Sequence, residues 1–341
     1  MSDVVGVALV GCAHTTHAWS YARALTSSVE TRLVGVYEEH PELARQICAD
    51  FSAPFVDDAM DLVSSPEVDA VVVCSPTAQH RRMVELSASR GKHVLCEKPI
   101  ATTREDAQAM IATCAAAGVQ LHVAFVSRFH PLVEKMRAAV RLGELGEMIG
   151  MVGGNRGRPP LPPDYPGWIT SAEEAGGGAL IDHSVHVTDV MRHVSGQEVT
   201  RVSAEVGAQL WDCGVDDVAL MSLVFDRGLV ASVDPSWSVP EGNPWDYDFF
   251  LRVVGTRGSM DISDLAESLH LVSASFGNRL RLAHFGVDLD QRLVEAFGAS
   301  VRSGKVCYPC ATGEDGLRAL DVALAGYASA ASATPTCLPS A

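Results

Sequence analysis

Val4-Val5-Gly6-Val7-Ala8-Leu9-Val10-Gly11-Cys12-Ala13-His14-Thr15-Thr16 is an apolar run of strand length that breaks at a glycine. Four more such runs follow, at 32–37, 68–74, 93–96 and 120–125. Helix-like segments separate them, at 17–26, 41–51, 78–89 and 103–117. The last opens on Thr102 or Thr103 as cap, with Glu105 and Asp106 in its first turn, where carboxylates meet the positive end of the helix dipole. Strands alternating with helices in this way predict an α/β domain, a Rossmann-like doubly wound parallel sheet over residues 1–125.

After His130 the rhythm changes. Helices are predicted at 132–142 and 176–194, and then strand-like runs dominate, at 202–211, 218–225, 229–237 and 249–254. Asp226-Arg227-Gly228 and Gly255-Thr256-Arg257-Gly258 are tight-turn signals that join neighbours as hairpins. Residues 126–341 therefore read as a second, α+β domain with a mostly antiparallel sheet and helices on one face. The Gly- and Pro-rich stretch 153–166 reads as a loop over a site or as a connector, and 291–303 and 315–331 as closing helices.

Bulk properties narrow the function. A chain of 341 residues exceeds the ~250–300 residues that one core usually serves, which favours two domains. A formal charge of −16 with no cluster of Lys and Arg argues against a nucleic-acid groove. There is no long uninterrupted apolar stretch and no basic-flanked apolar leader, so a cytoplasmic protein without membrane contact is expected. The nine cysteines are odd in number and irregularly spaced, as in a reducing compartment. Cys307-Tyr308-Pro309-Cys310 is a lone CxxC without a second pair, so no metal is expected there.

The turn 11–16 holds part of a dinucleotide fingerprint. In that fingerprint one glycine makes the turn, a second admits the pyrophosphate and a third lets helix pack on strand. Gly11 is present, whereas Ala13 and Thr16 take the other places, with Cys12, His14 and Thr15 between. Thr16 would either loosen that packing or offer its hydroxyl to a phosphate. Glu38, 22 residues past Thr16, stands where an acid holds a ribose diol. With Glu39 beside it and no adjacent arginine, the pair would repel a 2′-phosphate, favouring NAD over NADP. The alternative is a solvated acidic start to a helix. His14 and His17 are loop neighbours of a cofactor or exposed bystanders. Ser75, Pro76 and His80 follow the third strand, whose carboxyl end borders the ligand crevice of such sheets.

Reaction chemistry is concentrated in two places. Glu97-Lys98-Pro99 closes the fourth strand. Pro99 biases Lys98 to an extended backbone, setting an ammonium at a strand end where it could steady a developing alkoxide or transfer a proton. The alternative is a surface lysine. Asp182 and His186 lie four apart on a helix, and Asp189 and His193 continue the stripe. His186 could accept an alcohol proton, with Asp182 orienting it or binding hydroxyls. A solvated helix face and a metal site are the other readings. Gly176-Gly177-Gly178 would let backbone approach a ligand closely. Trp168 and Trp237 are candidate walls for stacking on a sugar ring.

The Gly11 turn, Glu38, Ser75-Pro76 with His80, the run Gly91 to Pro99, Arg128-Phe129-His130-Pro131, Gly176 to His186 and Thr312 to Leu320 together resemble the glucose–fructose oxidoreductase / inositol dehydrogenase family over residues 4–331. The glycine turn departs from the family pattern. The resemblance implies a Rossmann domain plus an open-faced sheet domain for substrate and subunit contacts, with a homodimer or homotetramer expected. It implies hydride transfer between NAD(P) and a sugar, cyclitol or related polyol. Carried over by position, Lys98 would be the catalytic lysine and Asp182 and His186 the substrate-facing pair. Glu97 would stand with the cofactor residues, and Arg128 by the nicotinamide and the substrate cleft. Three functions compete: a dehydrogenase releasing its cofactor, an enzyme that recycles retained NAD (an oxidoreductase, epimerase or redox-assisted glycosidase), and a non-enzymatic NAD- or metabolite-binding regulator.

Overall fold

The computed structural model describes residues 4–162, 165–240, 242–243, 247–263, 268–272, 280–284 and 286–339. In chain order the elements begin with β1 (Val5–Val10), α1 (Thr15–Ser27), β2 (Thr31–Tyr37), α2 (Pro41–Phe51), α3 (Ala59–Ser64), β3 (Ala70–Val73), α4 (His80–Ser89), β4 (His93–Cys96), α5 (Arg104–Ala117) and β5 (Leu121–Val123). They continue with α6 (Pro131–Arg141), β6 (Met148–Gly157), α7 (Ala172–Ala175), α8 (Ala179–Ser195), β7 (Val199–Gly207), β8 (Val218–Phe225) and β9 (Val230–Asp234). The last are β10 (Tyr247–Gly255), β11 (Gly258–Ser263), β12 (Ser268–Val272), β13 (Leu280–His284), α9 (Leu289–Ser303), β14 (Ala311–Thr312), α10 (Gly313–Ser332) and β15 (Thr336–Cys337).

These elements form two compact units. The first comprises Met1–Phe129, Pro160–Gly178 and Leu289–Leu320. Its sheet runs β14-β5-β4-β3-β1-β2, parallel throughout except for the short β14. The strands read as near-continuous apolar runs because helices cover both faces of such a sheet. Val7, Leu9, Val72 and Leu95 are fully buried, and Phe297 of α9 joins Tyr21 and Leu25 of α1 in the same core. Strand order reverses between β1 and β3, which makes their carboxyl ends the ligand crevice of this unit. The predicted cap of α5 is present, with Thr103 accepting the backbone N–H of Asp106.

The second unit comprises His130–Pro159, Ala179–Asp288 and Asp321–Ala341. Its sheet runs β11-β10-β6-β9-β8-β7-β15, and only β6 with β9 is a parallel pair. Both hairpins predicted from turn residues are formed, β8 with β9 and β10 with β11. The expected loop at 153–166 is corrected in its first part, which belongs to β6. Glycine serves there as a space for helix packing. A Cβ on Gly153 would lie 2.9 Å from Met191 Cε, and one on Gly157 would lie 2.4 Å from the His183 ring, so α8 packs on the strand where both lack side chains.

Candidate active site

Gly11 ends β1 with φ +91°, and a Cβ there would lie 2.4 Å from the Ser75 backbone nitrogen. The turn thus needs glycine both for its conformation and for its closeness to the end of β3. Glu38 is buried, and its carboxylate accepts the backbone N–H of Cys12 at 2.5 Å and of His40 at 3.0 Å. A carboxylate has further acceptor capacity on each oxygen, so these bonds hold it in place without using it up. Its position, tied to the turn at the end of β2, fits a ribose diol. The solvated reading of Glu38 does not survive this burial.

Ala13 is buried, whereas Thr16 is exposed and does not press on the sheet. The loosened packing expected of Thr16 is therefore corrected: Ala18 and Ala22, both fully buried, let α1 sit close. No side chain caps α1 and no acid lies in its first turn. A helix end of this kind suits a pyrophosphate, since its N–H groups and dipole favour an anion. Trp168 belongs to this unit, and its indole N–H donates to the Ala13 carbonyl at 3.0 Å. The His14 ring lies edge-on to Trp168 and Tyr165, with centroids at 6.3 and 6.4 Å. Arg82 reaches Glu39 in an ion pair of 2.6 Å, so the fold brings an arginine to the second carboxylate that the local sequence lacks.

The buried His80 ring braces the strand ends. Its Nε2 lies 3.1 Å from the Ser75 carbonyl, and its Nδ1 lies 3.0 and 3.2 Å from those of Pro99 and Ile100. Burial pushes its pKa down, against the pull of Glu97 and the carbonyls. Pro76 precedes the turn that enters α4. Next to this brace stand Glu97 and Lys98, 2% and 6% exposed, so Lys98 is not a surface lysine. The Lys98–Pro99 peptide is cis.

Glu97 is the hub of the strand end. One oxygen accepts the Tyr21 hydroxyl and faces His17 Nδ1 at 3.0 Å, and the other accepts the Lys98 backbone N–H at 2.8 Å. Burial by itself would raise its pKa. The charge and hydrogen bond of His17, with Lys98 and His14, outweigh burial and hold the carboxyl well below the usual range. Burial and the Glu97 charge drive the Tyr21 hydroxyl upward. Arg128 is also buried, paired with Asp315 at 2.9 Å and 3.5 Å from the Cys310 carbonyl.

In the second unit, α8 is buried over most of its length. Asp182 accepts the indole N–H of Trp237 at 3.2 Å and lies 3.2 Å from His183 Nε2. His186, one turn on, is 6% exposed. Asp189 is fully buried, 3.8 Å from Arg192, which in turn holds Glu198 at 2.6 Å. The stripe is thus neither solvated nor uniform: its first half carries the candidate acid–base pair and its second half a structural ion pair. Trp237 is 0% exposed and has no ring face to offer a sugar, a correction to its expected role. Gly176 is the left-handed cap of α7 at φ +88°, so a turn already accounts for this glycine. Asp216 accepts the Leu180 N–H at 2.8 Å and the Tyr327 hydroxyl at 2.8 Å, fixing the start of α8.

Sequence reasoning missed His183, Asp216, Asp315 and Tyr21 as members of these networks. The spacing of His17 and Tyr21 was visible as one helix face, but nothing local pointed that face at Glu97. All nine cysteines are free thiols, and among the described residues no three potential ligands gather to hold a metal ion. No described helix is long and apolar enough to cross a membrane.

Comparison with known proteins identifies the family of both units. Residues 5–125 match the family described as oxidoreductase family, NAD-binding Rossmann fold, and residues 133–261 match the GFO/IDH/MocA C-terminal domain. The chain is 32% identical over 293 residues to the uncharacterized oxidoreductase YrbE of Bacillus subtilis, covering 82% of this chain and 80% of that protein. It is 32% identical over 280 residues to myo-inositol 2-dehydrogenase of Thermotoga maritima, covering 80% and 79%. A solved structure of GenD2 from gentamicin A biosynthesis, in complex with NAD, superposes with TM-score 0.88 over 100% of this chain and 98% of that one, at 23% identity.

Proposed function

Since the chain belongs to the GFO/IDH/MocA oxidoreductases, NAD(P)-dependent dehydrogenases and reductases acting on CH–OH groups, we propose that it interconverts a secondary alcohol and a ketone of a sugar, cyclitol or related polyol, with NAD preferred. The observation that carries this reading is Lys98, buried at the carboxyl end of β4 with its backbone locked by Glu97. When bound, NAD supplies the hydride acceptor at the substrate carbon. His186 takes the hydroxyl proton, and the Lys98 ammonium donates a hydrogen bond to the oxygen as charge develops there. Asp182, steadied by Trp237 and His183, orients hydroxyls of the substrate. Glu38 accepts the ribose hydroxyls, and Arg128 flanks the nicotinamide. His80 and Glu97 act as braces behind these groups, and Trp168 packs on the cofactor turn.

NADH absorbance during incubation with a polyol panel tests the proposal, and the name of the Thermotoga relative makes myo-inositol the first compound to try. Turnover with NAD should exceed turnover with NADP by about a hundredfold, because the buried Glu38 carboxylate opposes a 2′-phosphate. Equal use of both cofactors would remove the NAD preference. The packing of Trp168 and Tyr165 around the turn favours one variant of this reading, in which the cofactor stays bound between turnovers. A nicotinamide chromophore that survives gel filtration, with no free NADH formed, would establish that variant instead.

We also assign the face of the second sheet opposite α8, which no described helix covers, to contact with another copy of this chain. Val152, Leu220 and Val230 are 47%, 58% and 53% exposed on the face opposite α8, around the cross-strand pair Ser222–Ser232. Apolar surface of this kind calls for a partner. Light scattering should find a dimer or larger species for the native chain and a monomer for a Leu220→Arg, Val230→Arg double variant. A monomeric native protein would end this assignment.

A further inference from the structure

The turn keeps one of the three fingerprint glycines, yet the residues around it are built rather than eroded. His17 lies in the first turn of α1 and reaches across the carboxyl ends of β1 and β3 to Glu97 at the end of β4. Its side chain is 27% exposed and that of Glu97 only 3%, so the contact joins a ring on the crevice side to a carboxylate beneath it. Nδ1 faces Glu97 Oε1 at 3.0 Å, which leaves Nε2 as the ring's other polar atom. The helix end beside it has neither a side-chain cap nor an acid.

We infer that His17 is a cofactor-binding residue, an imidazolium that donates from Nε2 to a pyrophosphate oxygen of the dinucleotide and does there what close backbone approach does in a turn with all three glycines. With only Nδ1 protonated, Nε2 would present a lone pair to the phosphate, whereas the imidazolium presents a donor and a positive charge. Charged groups from two parts of the unit, the end of β4 and α9, face the ring. Glu97 from β4 and Asp290 from α9 favour the charged form, burial and Lys98 oppose it, and the net effect lifts the His17 pKa above its ordinary value. Its own helix contributes Tyr21, held neutral on Glu97, and the His14 ring packs edge-on at 4.1 Å.

Calorimetric titration of the full chain with ADP-ribose, and with adenosine as a phosphate-free probe, tests this between pH 5.5 and 9.5. ADP-ribose affinity should fall about tenfold as pH rises through the His17 pKa, with proton uptake on binding in that range. His17→Gln should bind ADP-ribose about tenfold more weakly at pH 6 with a flat profile, and should bind adenosine unchanged. His17→Arg should recover the low-pH affinity and carry it to high pH. Glu97→Gln should move the native midpoint to lower pH. Native-like ADP-ribose binding by His17→Gln at every pH would overturn the inference. So would equal loss of adenosine and ADP-ribose affinity, which is the mark of a merely structural role. Failure of His17→Arg to rescue binding, in a variant that melts like the native protein, would overturn it as well.

Discussion

Replacing Lys98 by methionine is expected to lower kcat and kcat/KM together by about 10²–10³-fold, with ADP-ribose affinity retained. The side chain has nearly the same length and apolar body, so the loss isolates the ammonium that steadies the developing oxyanion. His186→Asn should cost about 10²–10⁴-fold in alcohol oxidation. Its pH profile is the sharper readout. Oxidation needs a neutral imidazole as proton acceptor, so the native kcat/KM rises with pH through that group, and the variant should lose the limb. Steady-state rates with the best substrate of the polyol panel decide the matter. Native turnover in both variants would remove Lys98 and His186 from the chemistry.

Glu97→Ala is expected to destabilise the first unit by about 3–5 kcal/mol in denaturant titration, because it strips the partner from two buried donors and one half-buried ring at once. Those groups are the Tyr21 hydroxyl, the Lys98 backbone N–H and His17. Glu97→Gln keeps the shape and should cost about 1–2 kcal/mol. The pH dependence separates charge from shape. Glu97 has its folded pKa held below the ordinary 4.5, so its contribution is present above that value and disappears as pH falls through the folded pKa. His17 has its folded pKa raised above 6.5, so its contribution is present below that value and is lost as pH rises through the folded pKa. The native protein should therefore be favoured by this pair most between the two, and Glu97→Gln should flatten both flanks. An unchanged acid limb in that variant would show that the carboxylate charge contributes nothing.

Much of the fold was legible because hydrophobic period and turn chemistry are local properties. The alternation from Val5 to Val123 announces a parallel sheet, and the predicted hairpin signals at Asp226 and Gly255 are realised in β8–β9 and β10–β11. Where the reading failed, a residue's purpose lay in a distant neighbour. Gly153 and Gly157 look like loop glycines until α8 is laid on β6, when they become the space into which Val187, Met191 and His183 pack. Trp237 looks like a sugar platform until it is found closed into the core, its indole on the carboxylate of Asp182, 55 residues away.

By itself the sequence determined the class of sheet, the carboxyl end of β4 as the place of the lysine, and the pairing of Asp182 with His186 on one helix face. These follow from backbone periodicity and from spacing within single elements. Only the tertiary structure decided which polar groups are spent and which remain for chemistry. It buried Asp189 against Arg192, closed Trp237 into the core, gave Glu97 to Tyr21 and His17, and held Glu38 at the cofactor turn. The reason is physical: a buried polar group must find a partner, and those partners come from other elements, at separations that no local pattern records.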